Sequence, residues 1–354
     1  MKKFFLLQIW KHFSKTLYLC TLITLSACSS PHSRHSANAW PSNKAIQNIT
    51  DDVVEDAKKT LTPKGICVIV AEPQTGKMLA INGEVGRFLT EPVSTFKPVV
   101  VAAALEKGKI SESTKINCEQ GVFIDGNGTI KDSIPLGELD YSEILQKSSN
   151  IGTSKIALLL DDKEFFDFVR SFGYGQKTGI SMPSEISGFL QDPSRWQSQS
   201  KMRMAIGQQL AATPIQIAMA YCAIVNGGNL MRPAIGNEKP QIVRRVCSEK
   251  TSKLLKKALH SATLEGGSAA FARVPSVATG GKTGTAQAVT PDGRYSPAEY
   301  VTLFAGFFPV ENPKYVVIVA VDQATLPPKL NYGGLVAAPI FAEIAKKIST
   351  LPSK

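Results

Sequence analysis

Apolar runs with strand character sit towards the two ends of this chain, and helically spaced apolar positions fill its middle. Ile66-Cys67-Val68-Ile69-Val70 and Met78-Leu79-Ala80-Ile81 flank the turn-rich stretch Glu72-Pro73-Gln74-Thr75-Gly76. Two such runs around turn residues predict a hairpin. A second hairpin is predicted from Tyr300 to Phe308 and Tyr315 to Val321, around Glu311-Asn312-Pro313-Lys314. Helical spacing covers 44–60, 97–108, 141–160, 161–172, 213–227, 250–265 and 335–348, and the middle of the chain is poor in β-rich runs. The order of these elements predicts an α+β fold. Its antiparallel sheet is built from both chain ends, flanked by helices, with an all-helical subdomain.

The first residues follow a different pattern. Lys2, Lys3, Lys11 and Lys15 have no acid near them, and the mostly apolar Thr16–Ala27 runs into Leu25-Ser26-Ala27-Cys28. An apolar core of about 12 residues is short of the roughly 20 that span a bilayer. A basic start, a short apolar core and small residues before a cleavage point predict an export signal over 1–28. The Leu-Ser-Ala-Cys ending resembles a bacterial lipoprotein signal, which would make Cys28 a lipidation site. Plain cleavage, or an uncleaved anchor including Phe4 to Trp10, are the alternatives. Residues 29–43 are polar and serine-rich, as in a flexible tether. That leaves 44–354 as one folded domain, outside the cytoplasm and attached to the membrane.

The formal charge of +11 includes the four lysines of the signal. No zinc-ligand spacing, aromatic RNA-binding motif or clustered basic helix accompanies it, so we expect no nucleic-acid partner. Beyond the signal, Cys67, Cys118, Cys222 and Cys247 are widely spaced. Cys67 and Cys222 lie in apolar runs and read as core residues. Of four histidines, only His260 lies beyond residue 43. A histidine-based triad or metal site is therefore disfavoured, and no metal or cofactor is expected.

Three short segments carry candidate chemistry. In Ser94-Thr95-Phe96-Lys97, a helix beginning at Ser94 would put Lys97 on the same face three residues on. A serine hydroxyl needs a base to become a nucleophile. Lysine can be that base when burial or a nearby cation destabilises its ammonium. In Ser148-Ser149-Asn150, Ser148 can relay a proton and Asn150 can grip a peptide amide, although taken alone the segment is better explained as a polar helix cap. In Lys282-Thr283-Gly284-Thr285, an edge strand would present both threonine hydroxyls on one face, beside Lys282, to a carboxylate. Gly284 would let a substrate backbone approach closely. The backbone N–H groups of Ser94 and Thr285 would form an oxyanion hole. Two look-alikes are assigned to structure only: Ser198 to Lys201, expected in a loop, and Lys177-Thr178-Gly179.

No segment is specific alone, but their order is. S-x-x-K, S-x-N and K-T-G, in this order and at these separations, resemble the signature of penicillin-binding proteins and β-lactamases. Ala205-Ile206-Gly207-Gln208-Gln209-Leu210-Ala211-Ala212-Thr213-Pro214-Ile215-Gln216 and Asn226-Gly227-Gly228 make the chain resemble the class B penicillin-binding transpeptidase domain over most of 63–348. The resemblance implies a serine D,D-transpeptidase that acts on peptidoglycan stem peptides and is inhibited by β-lactams. Ser94 would be acylated, Lys97 would be the base, Ser148 the relay and Asn150 a substrate clamp. Lys282, Thr283 and Thr285 would hold the substrate carboxylate. A glycosyltransferase or a division or elongation partner is also implied.

Val93 stands where the family usually has glycine, the stretch from Ile81 to Ser94 is short, and the family's N-terminal pedestal domain has no counterpart in the residues before 63. Rival readings are a D,D-carboxypeptidase, a class D-like β-lactamase using a carboxylated Lys97, and a non-catalytic lactam or muropeptide sensor. A β-lactamase needs a base for its deacylating water. No carboxylate is placed for it: Glu164 lies on a predicted helix, and Glu185 lies in a loop that resembles the family's (Pro183-Ser184-Glu185).

Overall fold

The computed structural model describes residues 42–125, 128–290 and 294–352. The export signal, Cys28 and almost all of the tether lie outside the described residues. Helix α1 (Lys44–Leu61) opens the fold, its first turn capped by Asn43, whose side chain accepts from the Ile46 N–H. Strands β1 (Gly65–Glu72) and β2 (Lys77–Asn82) form the first expected hairpin. Strands β3 (Gly280–Val289), β4 (Tyr295–Phe308) and β5 (Tyr315–Asp322) close the chain's second half. They join in one antiparallel sheet of order β3-β4-β5-β1-β2. The chain's two ends meet where β1 pairs with β5, from Gly65 opposite Asp322 to Ala71 opposite Val316.

Two apolar layers hold this sheet. Strand side chains alternate between its faces. Cys67, Ile69, Val316, Ile318 and Ala320 join the core beneath the helical region. Ile66, Val68, Val70, Val317, Val319 and Val321 join the core under α1 and the last helix, α9 (Ala337–Ser349). The helical region comprises α2 (Lys97–Glu106), α3 (Tyr141–Lys147), α4 (Asn150–Leu158), α5 (Asp162–Ser171), α6 (Ser200–Ala205), α7 (Pro214–Val225) and α8 (Glu249–Ser261). Every residue of α7 is buried. A helix apolar on all sides belongs inside, and α7 runs between the sheet and α8. The four cysteines beyond the signal are free thiols, all buried.

Four expectations need correction. The helix expected over 141–160 is two helices, because Ser148 adopts φ +60 and ends α3 before Ser149 caps α4. The middle of the chain, read as poor in β-rich runs, carries four two-stranded ribbons among the described residues, from residues 116 to 245. Their strands of two to four residues are too short for a periodic signal. Ser198 to Lys201 is not all loop, since Lys201 lies in the first turn of α6. The second hairpin's first strand begins at Tyr295, five residues earlier than its apolar run.

Phe341 of α9 is fully buried and stacks on Phe304, ring centroids 4.6 Å apart, and edge-on to Phe308. Phe341→Ala should lower the unfolding free energy by about 3–5 kcal/mol in a denaturant titration. The site lies across the sheet from this residue, so its chemistry should be unchanged in the folded fraction.

Candidate active site

Ser94 sits in a single 3-10 turn, Val93–Phe96, and α2 begins at Lys97 rather than at the serine. The Lys97 N–H closes this turn on the Ser94 carbonyl. Neighbouring segments fix the turn through its backbone. Val93 N donates to Gly207 O at 3.0 Å, Thr90 and Ala212 exchange two backbone bonds, and Tyr221 Oη of α7 donates to Thr95 O at 2.9 Å. The Val93 backbone has φ +41. A β-branched residue there carries strain on the order of 1–3 kcal/mol. The Ser94 hydroxyl has no hydrogen-bond partner among the described residues and is only partly buried.

The break between α3 and α4 forms the second wall. Ser149 Oγ accepts from Gly152 N at 2.9 Å, so the middle serine of the motif is a helix cap. Its neighbours Ser148 and Asn150 are then turned toward the lysines. Asp132 clamps the break: it accepts from Ser149 Oγ at 2.7 Å, from Ile151 N at 3.2 Å and from Asn150 N. No motif flags Asp132 in the sequence. It comes to this place through a ribbon whose partner strands are too short to read.

The third wall is β3, at the edge of the sheet. Lys282 reaches the Ser148 hydroxyl at 2.8 Å. From the other side Lys97 Nζ donates to Ser148 O at 2.6 Å and to Asn150 Oδ1 at 2.7 Å, and lies 3.2 Å from Ser148 Oγ. One hydroxyl therefore lies between two lysines, both wholly buried. Burial disfavours an ammonium, as does a second ammonium nearby. Lys97 is held well below the usual lysine range, first by burial, then by the charge of Lys282, with Asp132 opposing. Burial alone pushes Lys282 down to about 7. A neutral Lys97 can accept a proton, and Ser148, whose oxygen accepts from Lys282, keeps its own O–H free to pass one on.

Thr285 is exposed and Thr283 half-buried. Thr285 Oγ1 accepts from Gly333 N at 3.0 Å, which leaves its hydroxyl hydrogen for a ligand. Gly333 is a contributor that sequence reading missed. Gly284 has a different task from the one expected. A Cβ on it would lie 2.9 Å from Val93 Cγ2 and 3.1 Å from Thr95 Cγ2. Its bare face receives the serine turn. The look-alikes stand apart: Lys201 bonds Leu160 O and Asp162, while Thr178 and Gly179 donate to Glu185. Glu185 is thereby committed to a loop. Glu164 caps α5 and pairs with Lys107 and Lys109.

Past Thr285, β3 runs beside a cavity of about 400 Å³ lined by Arg87, Thr90, Gln209, Gln287, Tyr295 and Val301. Glu91 closes it, accepting from Gln209 N at 3.0 Å and from Tyr295 Oη at 2.8 Å. Desolvation raises the Glu91 carboxyl from 4.5 to about 7. Above about pH 4.5 the unfolded chain loses this proton while the fold retains it, so stability falls between about pH 4.5 and 7 and then levels. Glu91→Gln keeps both accepted bonds and cannot ionise. In thermal or denaturant unfolding it should be more stable than wild type by about 2–3 kcal/mol at pH 8 and equal to it near pH 4.

The model for the Penicillin binding protein transpeptidase domain matches residues 66–346. A probable peptidoglycan D,D-transpeptidase PenA of Neisseria flavescens is 32% identical over 324 residues, 85% of this chain and 79% of that protein. Peptidoglycan D,D-transpeptidase FtsI of Escherichia coli is 34% identical over 257 residues, 72% of this chain and 42% of FtsI. Stage V sporulation protein D of Bacillus subtilis is 33% identical over 85% of this chain and 51% of its own length. The chain thus spans about half or less of these two longer relatives. The transpeptidase domain of Burkholderia pseudomallei penicillin-binding protein 3 superposes with a TM-score of 0.81 at 29% identity, covering 90% of this chain and 97% of that one. Sequence, fold and the order of the three walls agree, and the chain belongs to the penicillin-binding protein transpeptidase family.

Proposed function

We propose that this protein is a serine D,D-transpeptidase that cross-links peptidoglycan stem peptides and is acylated by β-lactams. The observation that carries the reading is the Ser148 hydroxyl between Lys97 Nζ and Lys282 Nζ. Neutral Lys97 takes the Ser94 proton as Ser94 Oγ attacks the carbonyl of the penultimate D-alanine. The negative oxygen of the tetrahedral intermediate is held by the N–H groups of Ser94 and Thr285. Collapse breaks the amide bond, and the departing D-alanine amine receives the proton from Lys97 through Ser148. An acceptor amine then attacks the ester, returning the proton to Ser94. Lys282, Thr283 and Thr285 bind the terminal carboxylate of the donor, and Asn150 holds its backbone. The upstream part of the stem peptide follows β3 toward the cavity at Glu91.

Deacylation to water lacks support. Glu164 and Glu185 are committed elsewhere, and Lys97 sits among three polar acceptors rather than in the apolar pocket that a carboxylated lysine requires. This favours a transpeptidase over a β-lactamase. An export signal over 1–28 with lipidation at Cys28 and a tether over 29–43 would place the 44–354 domain at the outer face of the membrane. No helix among the described residues is long and apolar enough to cross a bilayer. A glycosyltransferase that makes the strands is the fitting partner.

Ser94→Ala should abolish covalent labelling by a fluorescent penicillin while the unfolding transition stays intact; retained labelling would remove Ser94 as the nucleophile. Lys97→Met should slow acylation by about 100-fold or more. Intact-mass spectra of the wild type after β-lactam treatment should show an adduct that lasts for hours. Loss of the adduct within seconds would instead mark a β-lactamase.

A further inference from the structure

Val93 is gripped between two glycines from distant segments. Its backbone rests on Gly207, where a Cβ would lie 2.1 Å from Val93 O and 2.5 Å from Val93 Cα. Its side chain rests on Gly284, where a Cβ would lie 2.9 Å from Val93 Cγ2. Gly207 itself has φ +76 and accepts the Val93 N–H. Val93 therefore keeps a backbone conformation with φ +41, which a β-branched residue rarely adopts, and buries its isopropyl group against the edge strand.

The contact has a mechanical consequence. Ser94 N belongs to the peptide unit that follows Val93, and Thr285 N to the unit that follows Gly284. On the reading of Ser94 and Thr285 as the oxyanion donors, the isopropyl group, with the Thr95 methyl beside it, fills the space between the serine turn and the strand. We propose that Val93 is a positioning residue: a strut that spaces the nucleophile's turn from strand β3 and so sets the separation of the two oxyanion donors. Rigid cores transmit such spacing because close-packed atoms leave no slack. Donors aimed at a charge that exists only in the transition state act on the chemical step and leave ground-state binding alone.

The test measures the non-covalent dissociation constant and the acylation rate constant separately, by stopped-flow with a fluorescent penicillin. Val93→Gly and Val93→Ala both remove the γ-methyls, but alanine keeps the strain at positive φ. Both should acylate about tenfold more slowly, with the dissociation constant within about twofold of wild type. Wild-type acylation rates in both single variants would overturn the strut, as would a loss seen only in the dissociation constant. A wild-type protein that forms no adduct on Ser94 would instead bring down the transpeptidase reading beneath it.

Discussion

The site depends on two buried lysines that share one hydroxyl. Taking an ammonium out of water is costly, and taking two to the same oxygen costs more. Relief comes through loss of a proton: burial and the neighbouring cation leave Lys97 well short of a normal lysine's proton affinity. On the proposed mechanism, the cost of assembling the site is the source of its reactivity. Both lysines are pushed toward their neutral forms by the same burial, around one shared hydroxyl. Asp132 pulls the other way at Lys97, and its carboxylate also stitches the α3–α4 break that presents Ser148.

Holding these groups requires backbone that local preference does not supply. Ser148 and Val93 both have positive φ, and both are over-determined by what surrounds them. Ser148 ends one helix as Ser149 starts the next, with Asp132 occupying the N–H groups thus freed. Val93 is fixed by Gly207 behind and Gly284 in front. Strain at functional positions persists only when the surrounding structure enforces it. Here that structure is the wholly buried helix α7, whose Tyr221 anchors the serine turn. The Thr213–Gln216 capping box fixes the start of α7. Gln216 also donates to the carbonyls of Gly173, Gln176 and Ser187, tying the loop around Gly173 to the same helix.

The sheet gives these walls their fixed separation. Strand β3 is an edge strand, so one side of it is open to a ligand, and its other side is paired along its length with β4. Through β4 and β5 it is continuous with β1, which is buried on both faces. Thr285 is held in addition by Gly333, from the loop that leads into α9. A chain-terminal helix and a strand from the chain's start thereby both bear on where one threonine hydroxyl points.

The sequence by itself determined the elements whose causes are local. Apolar runs around turn residues marked both hairpins, and 3.6-residue spacing marked the long helices. Three short motifs in order marked the proposed chemistry, since a nucleophile, base, relay and carboxylate binders must each be a particular residue type. It did not determine the roles that arise from approach. Nothing local distinguishes Asp132, Glu91 or Gly333 from other surface-like residues, and the break at Ser148 is invisible to helical spacing because apolar positions continue on both sides of it. Gly284 looked like room for a substrate and is room for Val93. Contacts between residues 93, 207 and 284 join positions far apart in the chain, and only the tertiary structure decides them, because which side chains meet depends on how the layers pack and not on the order of neighbours along the backbone.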